Sequence, residues 1–211
     1  MFVGRSAGRV GRHLLALVAL AAATVAAAAE RTIVFYGDSL TAGYGLDPDE
    51  AYPALIQRKL AEAGLPWRAV NAGVSGETTS GGLRRLDWIL RQPVDVFVLA
   101  LGGNDGLRGV APDLTRRNLQ AMVDRVRARY PQAVVVIAGM QMPPSMGPQY
   151  TDAFREIFPA VAAENRAPFI PFLLEGVGGI PEMNQADQIH PTAEGQRRIA
   201  ENVWQVLRPL L

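Results

Sequence analysis

The stretch Val94-Asp95-Val96-Phe97-Val98-Leu99-Ala100-Leu101, followed at once by Gly102-Gly103-Asn104-Asp105, decides the fold. It is short, rich in valine and closed by glycine, which marks a strand rather than a helix. It is apolar at odd and even positions alike, so both of its faces must be covered, as in a parallel sheet packed between two layers of helices. Four further runs repeat the signal at Thr32–Tyr36, Trp67–Asn71, Ala133–Gly139 and Phe169–Phe172. The runs at 94–101 and 133–139 are almost continuously apolar and are expected at the centre of the sheet.

Between the runs lie segments of helical period, predicted over Ala51–Ala63, Gly82–Leu90, Asp113–Ala128, Thr151–Asn165 and Glu194–Leu207. Leu55, Ile56 and Leu60 share one face of the first, and Leu119, Met122, Val123 and Val126 one face of the third. Gly64-Leu65-Pro66 and Tyr130-Pro131 read as helix exits. Strands alternating with helices and joined by right-handed crossovers predict an α/β fold, a three-layer α/β/α domain on a five-stranded parallel sheet.

The chain of 211 residues suits one such domain, with 49% hydrophobic residues to fill its core. Its first thirty residues have a different character. Arg5, Arg9 and Arg12 precede an apolar run from Leu14 to Val25 and a small-residue stretch ending at Ala27-Ala28-Ala29, the pattern of a secretory signal cleaved after Ala29. The uncharged run from Leu14 to Ala29 is short for an uncleaved membrane anchor. The expected organisation is therefore a signal peptide over 1–29 and one domain over 30–211, with export to the periplasm, no stable membrane insertion after cleavage and a monomeric state. Formal net charge is +1 for the whole chain and roughly −2 without the three leading arginines, which leaves no footprint for nucleic acid.

Cysteine is absent, which removes thiol nucleophiles, thiolate metal sites and lipid attachment at a cysteine. Histidine occurs twice, at His13 in the signal segment and at His190, so imidazole chemistry in the exported protein must use His190. A zinc site would need further ligands, and no metal or organic cofactor is implied.

Polar residues just beyond the carboxyl ends of parallel strands are the first place to look for chemistry. Gly37-Asp38-Ser39 follows the first strand; it can be an ordinary tight turn, or it can present a hydroxyl and a free backbone N–H at the start of a short helix. Neither a Walker lysine pattern nor the dinucleotide glycine spacing is present. Asp187 and His190 stand close enough for the carboxylate to reach one ring nitrogen, leaving the other to accept a serine proton; a surface histidine beside a helix start is the plainer reading. Gly102-Gly103-Asn104-Asp105 can be only a turn, but Asn104 offers an amide donor, and Gly76 a backbone N–H unobstructed by a side chain. With the Ser39 N–H these would make a three-donor oxyanion hole. Asp38 and Asp105 read as structural hydrogen-bonding residues. Apolar side chains share the strand ends with this constellation: Leu107, Val110, Met142, Pro143 and Ile189, with Met140 and Pro144 beside them, are the candidate substrate-binding residues.

Taken together, Gly37-Asp38-Ser39-Leu40, Asn71-Ala72-Gly73-Val74-Ser75-Gly76, Gly102-Gly103-Asn104-Asp105 and Asp187-Gln188-Ile189-His190-Pro191 resemble, in order, the four motifs of the SGNH hydrolases, or GDSL esterases and lipases. The longer strings from Gly37 to Gly45 and from Leu101 to Gly109 look like the periplasmic branch of Gram-negative bacteria, known as arylesterase, acyl-CoA thioesterase and lysophospholipase. The resemblance implies a flavodoxin-like fold, Ser39 as nucleophile, His190 as base with Asp187 as its partner, Gly76 and Asn104 as oxyanion donors, and a small acyl ester or thioester as substrate. Gln188 departs from the pattern, in which glycine is common at that place. Two other readings fit the same residues: a carbohydrate O-acetylesterase, and a non-catalytic periplasmic acyl- or glycan-binding protein. A glycan groove usually needs aromatic platforms, for which Tyr44, Trp88 and Tyr150 are the candidates.

Overall fold

The computed structural model describes residues 1–2 and 30–211. The signal segment expected over 1–29 lies, apart from its first two residues, outside the described residues. Five strands, β1 (Arg31–Gly37), β2 (Trp67–Asn71), β3 (Val96–Ala100), β4 (Val134–Ala138) and β5 (Phe169–Ile170), form one sheet in the order β2-β1-β3-β4-β5. Every neighbouring pair is parallel, with Phe35 opposite Val98 and Val98 opposite Val136 across the middle. β3 is the middle strand, as its continuous apolar run predicts, and all five of its residues are buried. β1 shares the interior with it, buried from Thr32 to Gly37, although its own sequence is less uniformly apolar.

Eight α-helices cover the sheet among the described residues. α1 (Ser39–Ala42) and α4 (Gly103–Leu107) are single short turns at strand ends. The others are α2 (Tyr52–Glu62), α3 (Thr79–Ile89), α5 (Pro112–Arg129), α6 (Pro148–Arg155), α7 (Ile157–Glu164) and α8 (Ala193–Leu207). α2 and α8 pack on each other, and α5 packs between α3 and α7, so two helical layers enclose the sheet. The core runs continuously from Ile56 and Leu60 through Phe35, Phe97 and Val98 to Met122 and Val126.

β3, β4 and β5 are shorter than the sequence reading by a residue or two at one or both ends, and two helical segments differ more. The segment read as one helix over 151–165 is two helices meeting at Glu156. Pro159 is the reason: it has no N–H for the carbonyl of Arg155, and its ring crowds that carbonyl. α3 starts at Thr79 rather than Gly82, because the Thr78 side chain accepts the N–H of Gly81 and caps the earlier turn.

α3 approaches the sheet through Gly82. A Cβ there would stand 2.4 Å from Leu101 Cδ1 and 3.3 Å from Tyr36 Cε1, while the Gly82 carbonyl accepts the Tyr36 hydroxyl at 2.6 Å. Alanine at this position would gain roughly 1 kcal/mol of helix propensity. Overpacking a closed core costs about 1–3 kcal/mol, which outweighs the gain. Gly82→Ala is therefore expected to lower stability in urea denaturation, despite being the better helix former; an unchanged or raised midpoint would show that the α3–sheet contact is loose.

Candidate active site

The four loops singled out in the sequence leave the same edge of the sheet. β1 ends at Gly37, where a Cβ would stand 2.0 Å from Thr41 Oγ1; only glycine lets α1 fold back over the strand end. Asp38 is the N-cap of α1, its Oδ1 accepting the Leu40 N–H at 3.0 Å. Ser39 is thereby the first residue of the helix, where the backbone N–H has no partner within the helix itself.

Asp187 and His190 belong to the turn before α8. Asp187 Oδ1 accepts the backbone N–H groups of Ile189 and His190 at 2.9 and 3.0 Å, and its Oδ2 lies 2.6 Å from His190 Nδ1. On the far side of the ring, His190 Nε2 lies 3.0 Å from Ser39 Oγ. The hydrogen bonds with His190, on side chain and backbone, and the Ile189 N–H hold the Asp187 carboxyl at a pKa of about 2, below the ordinary range. Gln188, the departure from the family pattern, adopts φ +57°, a left-handed conformation that glycine takes without strain. Its N–H donates to the Gln185 carbonyl at 2.9 Å and its Nε2 donates to the same oxygen at 3.1 Å, so the turn closes with glutamine in place.

Asn104 sits in α4, with Gly102 as the helix cap, so the segment read as an open turn is one turn of helix. Its Nδ2 lies 3.4 Å from Asp38 Oδ2. Asp38 is 2% exposed, and burial raises its pKa to about 6, against the lowering effects of the Leu40 N–H, the Asn104 amide and the His190 charge. Asp105, at 1% exposure, accepts the N–H and hydroxyl of Thr79 at 2.7 and 2.6 Å, which pins the start of α3 to α4. Both acids are thus structural acceptors, as the sequence suggested.

A cavity of about 590 Å³ opens on this edge and is lined by Ser39, His190 and Asn104. Leu107, Met140, Met142, Pro143, Pro144 and Ile189 line it, as the sequence reading had them. Val110 does not: α4 ends at Leu107, and beyond it the Val110 N–H donates to the Asp105 carbonyl and its carbonyl accepts the Tyr150 hydroxyl. Gly76 is also outside the lining; it adopts φ +79°, and its carbonyl accepts the Arg108 guanidinium at 3.0 Å.

The sequence reading missed Phe172, Leu174 and the Gly178-Gly179 pair, which form a further wall of the cavity. They follow β5 in a segment of turns with no period to betray it. It also missed Arg85, whose guanidinium stacks on Tyr36, pairs with Glu77 and donates to the carbonyls of Ala72 and Gly37, tying the ends of β2 and β1. Of the three possible aromatic platforms, Tyr150 spends its hydroxyl on Gly106 and Val110, Trp88 lies on α3 outside the cavity lining, and Tyr44 stands against His190.

Residues 35–198 match the model of the GDSL-like lipase/acylhydrolase family. The chain belongs to that family. Its reaction class follows, hydrolysis of acyl esters. Similar proteins include esterase TesA of Pseudomonas aeruginosa, 46% identical over 87% of this chain and 91% of the relative, and an arylesterase of Vibrio mimicus, 37% identical over 92% and 97%. Thioesterase 1/protease 1/lysophospholipase L1 of Escherichia coli is 37% identical over 96% of this chain and 95% of its own. Among solved structures, TesA superposes with a TM-score of 0.82 at 46% identity over 86% of this chain and 100% of that one. Esterase EstA from Pseudoalteromonas, solved with monoethylphosphonate as inhibitor, gives a TM-score of 0.80 at 31% identity over 86% and 98%. The three-layer SGNH hydrolase fold is therefore shared across the domain.

The buried Asp38 generates a stability prediction. Its folded pKa lies above the unfolded value of 3.8, so between pH 4 and 6 the folded protein holds more protons than the unfolded chain, and stability falls as pH rises through that window. The full effect is on the order of 2–3 kcal/mol. Asp187 acts with the opposite sign and in a different window, its contribution being present above 3.8 and lost as pH falls through about 2. Urea denaturation at pH 4 and pH 6.5 is expected to show a smaller loss between the two in Asp38→Asn than in the unsubstituted protein; equal losses would mean that Asp38 titrates normally.

Proposed function

We propose that this ester hydrolase is an exported serine enzyme that works through an acyl-enzyme on Ser39. The observation that supports the reading most strongly is the continuous contact Asp187 Oδ2, His190 Nδ1, His190 Nε2, Ser39 Oγ at 2.6 and 3.0 Å. Asp187, ionised across the working range, fixes the tautomer that carries the proton on Nδ1 and leaves Nε2 as acceptor. Ser39 Oγ attacks the ester carbonyl as its proton passes to Nε2. The carbonyl π pair moves onto oxygen, and this oxyanion is held by the Asn104 amide and the backbone N–H of Ser39, both residues of the cavity lining. Collapse expels the alcohol or thiol, which takes the proton from His190. Water then enters by the same route and releases the acid.

The substrate we infer is an ester or thioester with an apolar acyl or aryl group. Beside the nucleophile the cavity wall includes a run of apolar side chains, among them Leu107, Met140, Met142, Pro143, Phe172 and Ile189, and methionine adapts to varied shapes. The names of the relatives, arylesterase and thioesterase 1/protease 1/lysophospholipase L1, point the same way. Residues 1–29 are proposed as the cleaved export signal, with the enzyme acting in the periplasm.

Ser39→Ala and His190→Ala are each expected to abolish hydrolysis of p-nitrophenyl butyrate, since nucleophile and base act as one unit. A tenth of the activity surviving in His190→Ala would sink the mechanism. Asn104→Ala is expected to lower kcat by about 100- to 1,000-fold with little change in KM, because its amide bonds the oxyanion more strongly than the ground-state carbonyl.

Across p-nitrophenyl esters from acetate to octanoate, kcat/KM is expected to rise by up to roughly tenfold for each two added carbons until the cleft is full, at about 0.8 kcal/mol for each methylene wholly removed from water. A flat series accompanied by high activity on acetylated xylan would instead make the protein a carbohydrate O-acetylesterase.

A further inference from the structure

Tyr44 follows α1 and is 51% exposed, yet it is fixed in place. Its N–H donates to the Ser39 carbonyl at 3.1 Å, and its carbonyl accepts Gln185 Nε2 at 2.7 Å. Gln185 in turn donates its own N–H to the His190 carbonyl at 2.7 Å and its Nε2 to the Pro191 carbonyl at 3.0 Å. One side chain thus straps the Tyr44 loop to the His190 turn. The outcome is a ring contact: the phenol and the imidazole lie with centroids 4.3 Å apart and planes 37° from parallel. A half-exposed aromatic tethered from both sides against the proton-accepting ring has no part in the mechanism above.

We propose that Tyr44 is a positioning and electrostatic partner of His190: the face of its ring stabilises the imidazolium that forms when Ser39 gives up its proton, and keeps the imidazole from swinging away from Ser39. The inference rests on the Ser39–His190 reading. The charge logic is that of a cation over an aromatic quadrupole, whose negative face attracts the positive ring. The other acidic groups near His190 are the Asp187 carboxylate at Nδ1 and Asp38 from the end of β1, which favours the same charged form where it is ionised, above about pH 6. Tyr44 adds to them from the ring face, and it does so without a charge of its own. Its hydroxyl plays no part in the argument, so phenylalanine should serve as well.

Tyr44→Leu separates this role from mere apolar cover. Losing the aromatic face disfavours the imidazolium, so two effects of opposite appearance are expected together: kcat at the plateau falls by about two- to fivefold, and the acid limb of the pH–rate profile moves about half a pH unit lower. KM should change less than kcat. A purely structural role would lower the plateau and leave the limb where it was. Tyr44→Phe should keep both the plateau and the limb.

A second measurement does not depend on activity. From Glu30 onward His190 is the sole histidine, so its ring resonances in NMR titrate without overlap. Measured in the Ser39→Ala background, Tyr44→Leu should shift that titration to lower pH by the same half unit, and Tyr44→Phe should not. An unmoved titration in Tyr44→Leu, or a Tyr44→Phe variant that behaves as the leucine one does, overturns the proposal. Activity surviving in His190→Ala would instead overturn the underlying mechanism, while the NMR titration would still report on the ring contact.

Discussion

Asp105 is the acceptor on which the carboxyl edge of the sheet depends. It is buried at the head of α4, and it receives the N–H and hydroxyl of Thr79, with the Thr115 hydroxyl 3.5 Å away. Thr79 opens α3, Thr115 lies in the first turn of α5, and α4 carries Asn104, so one carboxylate holds three helices in register at the point where the loops from β2 and β3 meet. The arrangement continues outward: Asn118 donates to the Thr79 hydroxyl at 3.0 Å and to Ser80 at 2.9 Å. Removing a partner from such a set strands a buried polar group, a cost of about 1–3 kcal/mol for each group. Among the described residues no buried side-chain nitrogen or oxygen lacks a partner.

The same logic ties Ser39 to His190 across 151 residues of chain. Gln196 is 1% exposed in the first turn of α8, six residues beyond His190. Its Oε1 accepts the Tyr52 N–H at 2.8 Å, and its Nε2 donates to the Leu40 carbonyl at 3.0 Å. α1 is only four residues long and cannot hold its own position by intrahelical bonds. It is held instead by Gln196 behind it, by the close fit at Gly37 below it, and by the Thr41 hydroxyl 2.9 Å from that of Tyr52. Ser39 faces His190 because the helix bearing one and the helix following the other share a buried amide.

These anchors explain what was and was not legible in the sequence. The strands at 96–100 and 134–138 were plain because continuous burial selects apolar residues at every position, whereas the spacing of Asp187 and His190 made their contact possible but fitted a surface histidine beside a helix start equally well. For Asn104 and Ser39 the rule that parallel strands end on one edge gave the place, and the resemblance of four motifs in order gave the role. Gln196 and Arg85 stayed hidden because each is one of several polar residues on an amphipathic helix, with nothing in the helical period to single it out. What makes them matter is a partner more than ten residues away, which periodicity does not encode. The wall formed by Phe172, Leu174 and Gly178-Gly179 was hidden for a different reason: it is built on turns, where side-chain direction follows local φ and ψ rather than a period. The break at Glu156 was available from Pro159, and the apolar run on either side masked it.

The two halves of the site are built to different tolerances, and the structure distributes its costs accordingly. The polar half carries the strain: a buried carboxyl at Asp38, a left-handed glutamine at Gln188, and a helix too short to stand alone. Proton transfer demands that price, since a displacement of about 1 Å between reacting groups can cost a hundredfold in rate. The apolar half carries no comparable fixing. Leu107 and Ile189 are 45% and 46% exposed, and Met140 and Met142 line the cavity with unbranched side chains that adapt to varied shapes. A mismatch there loses only about 0.8 kcal/mol per methylene. Changes in the wall can therefore alter which acyl group fits while the distances from Asp187 to His190 to Ser39 stay set by Gln196, Gln185 and the sheet edge.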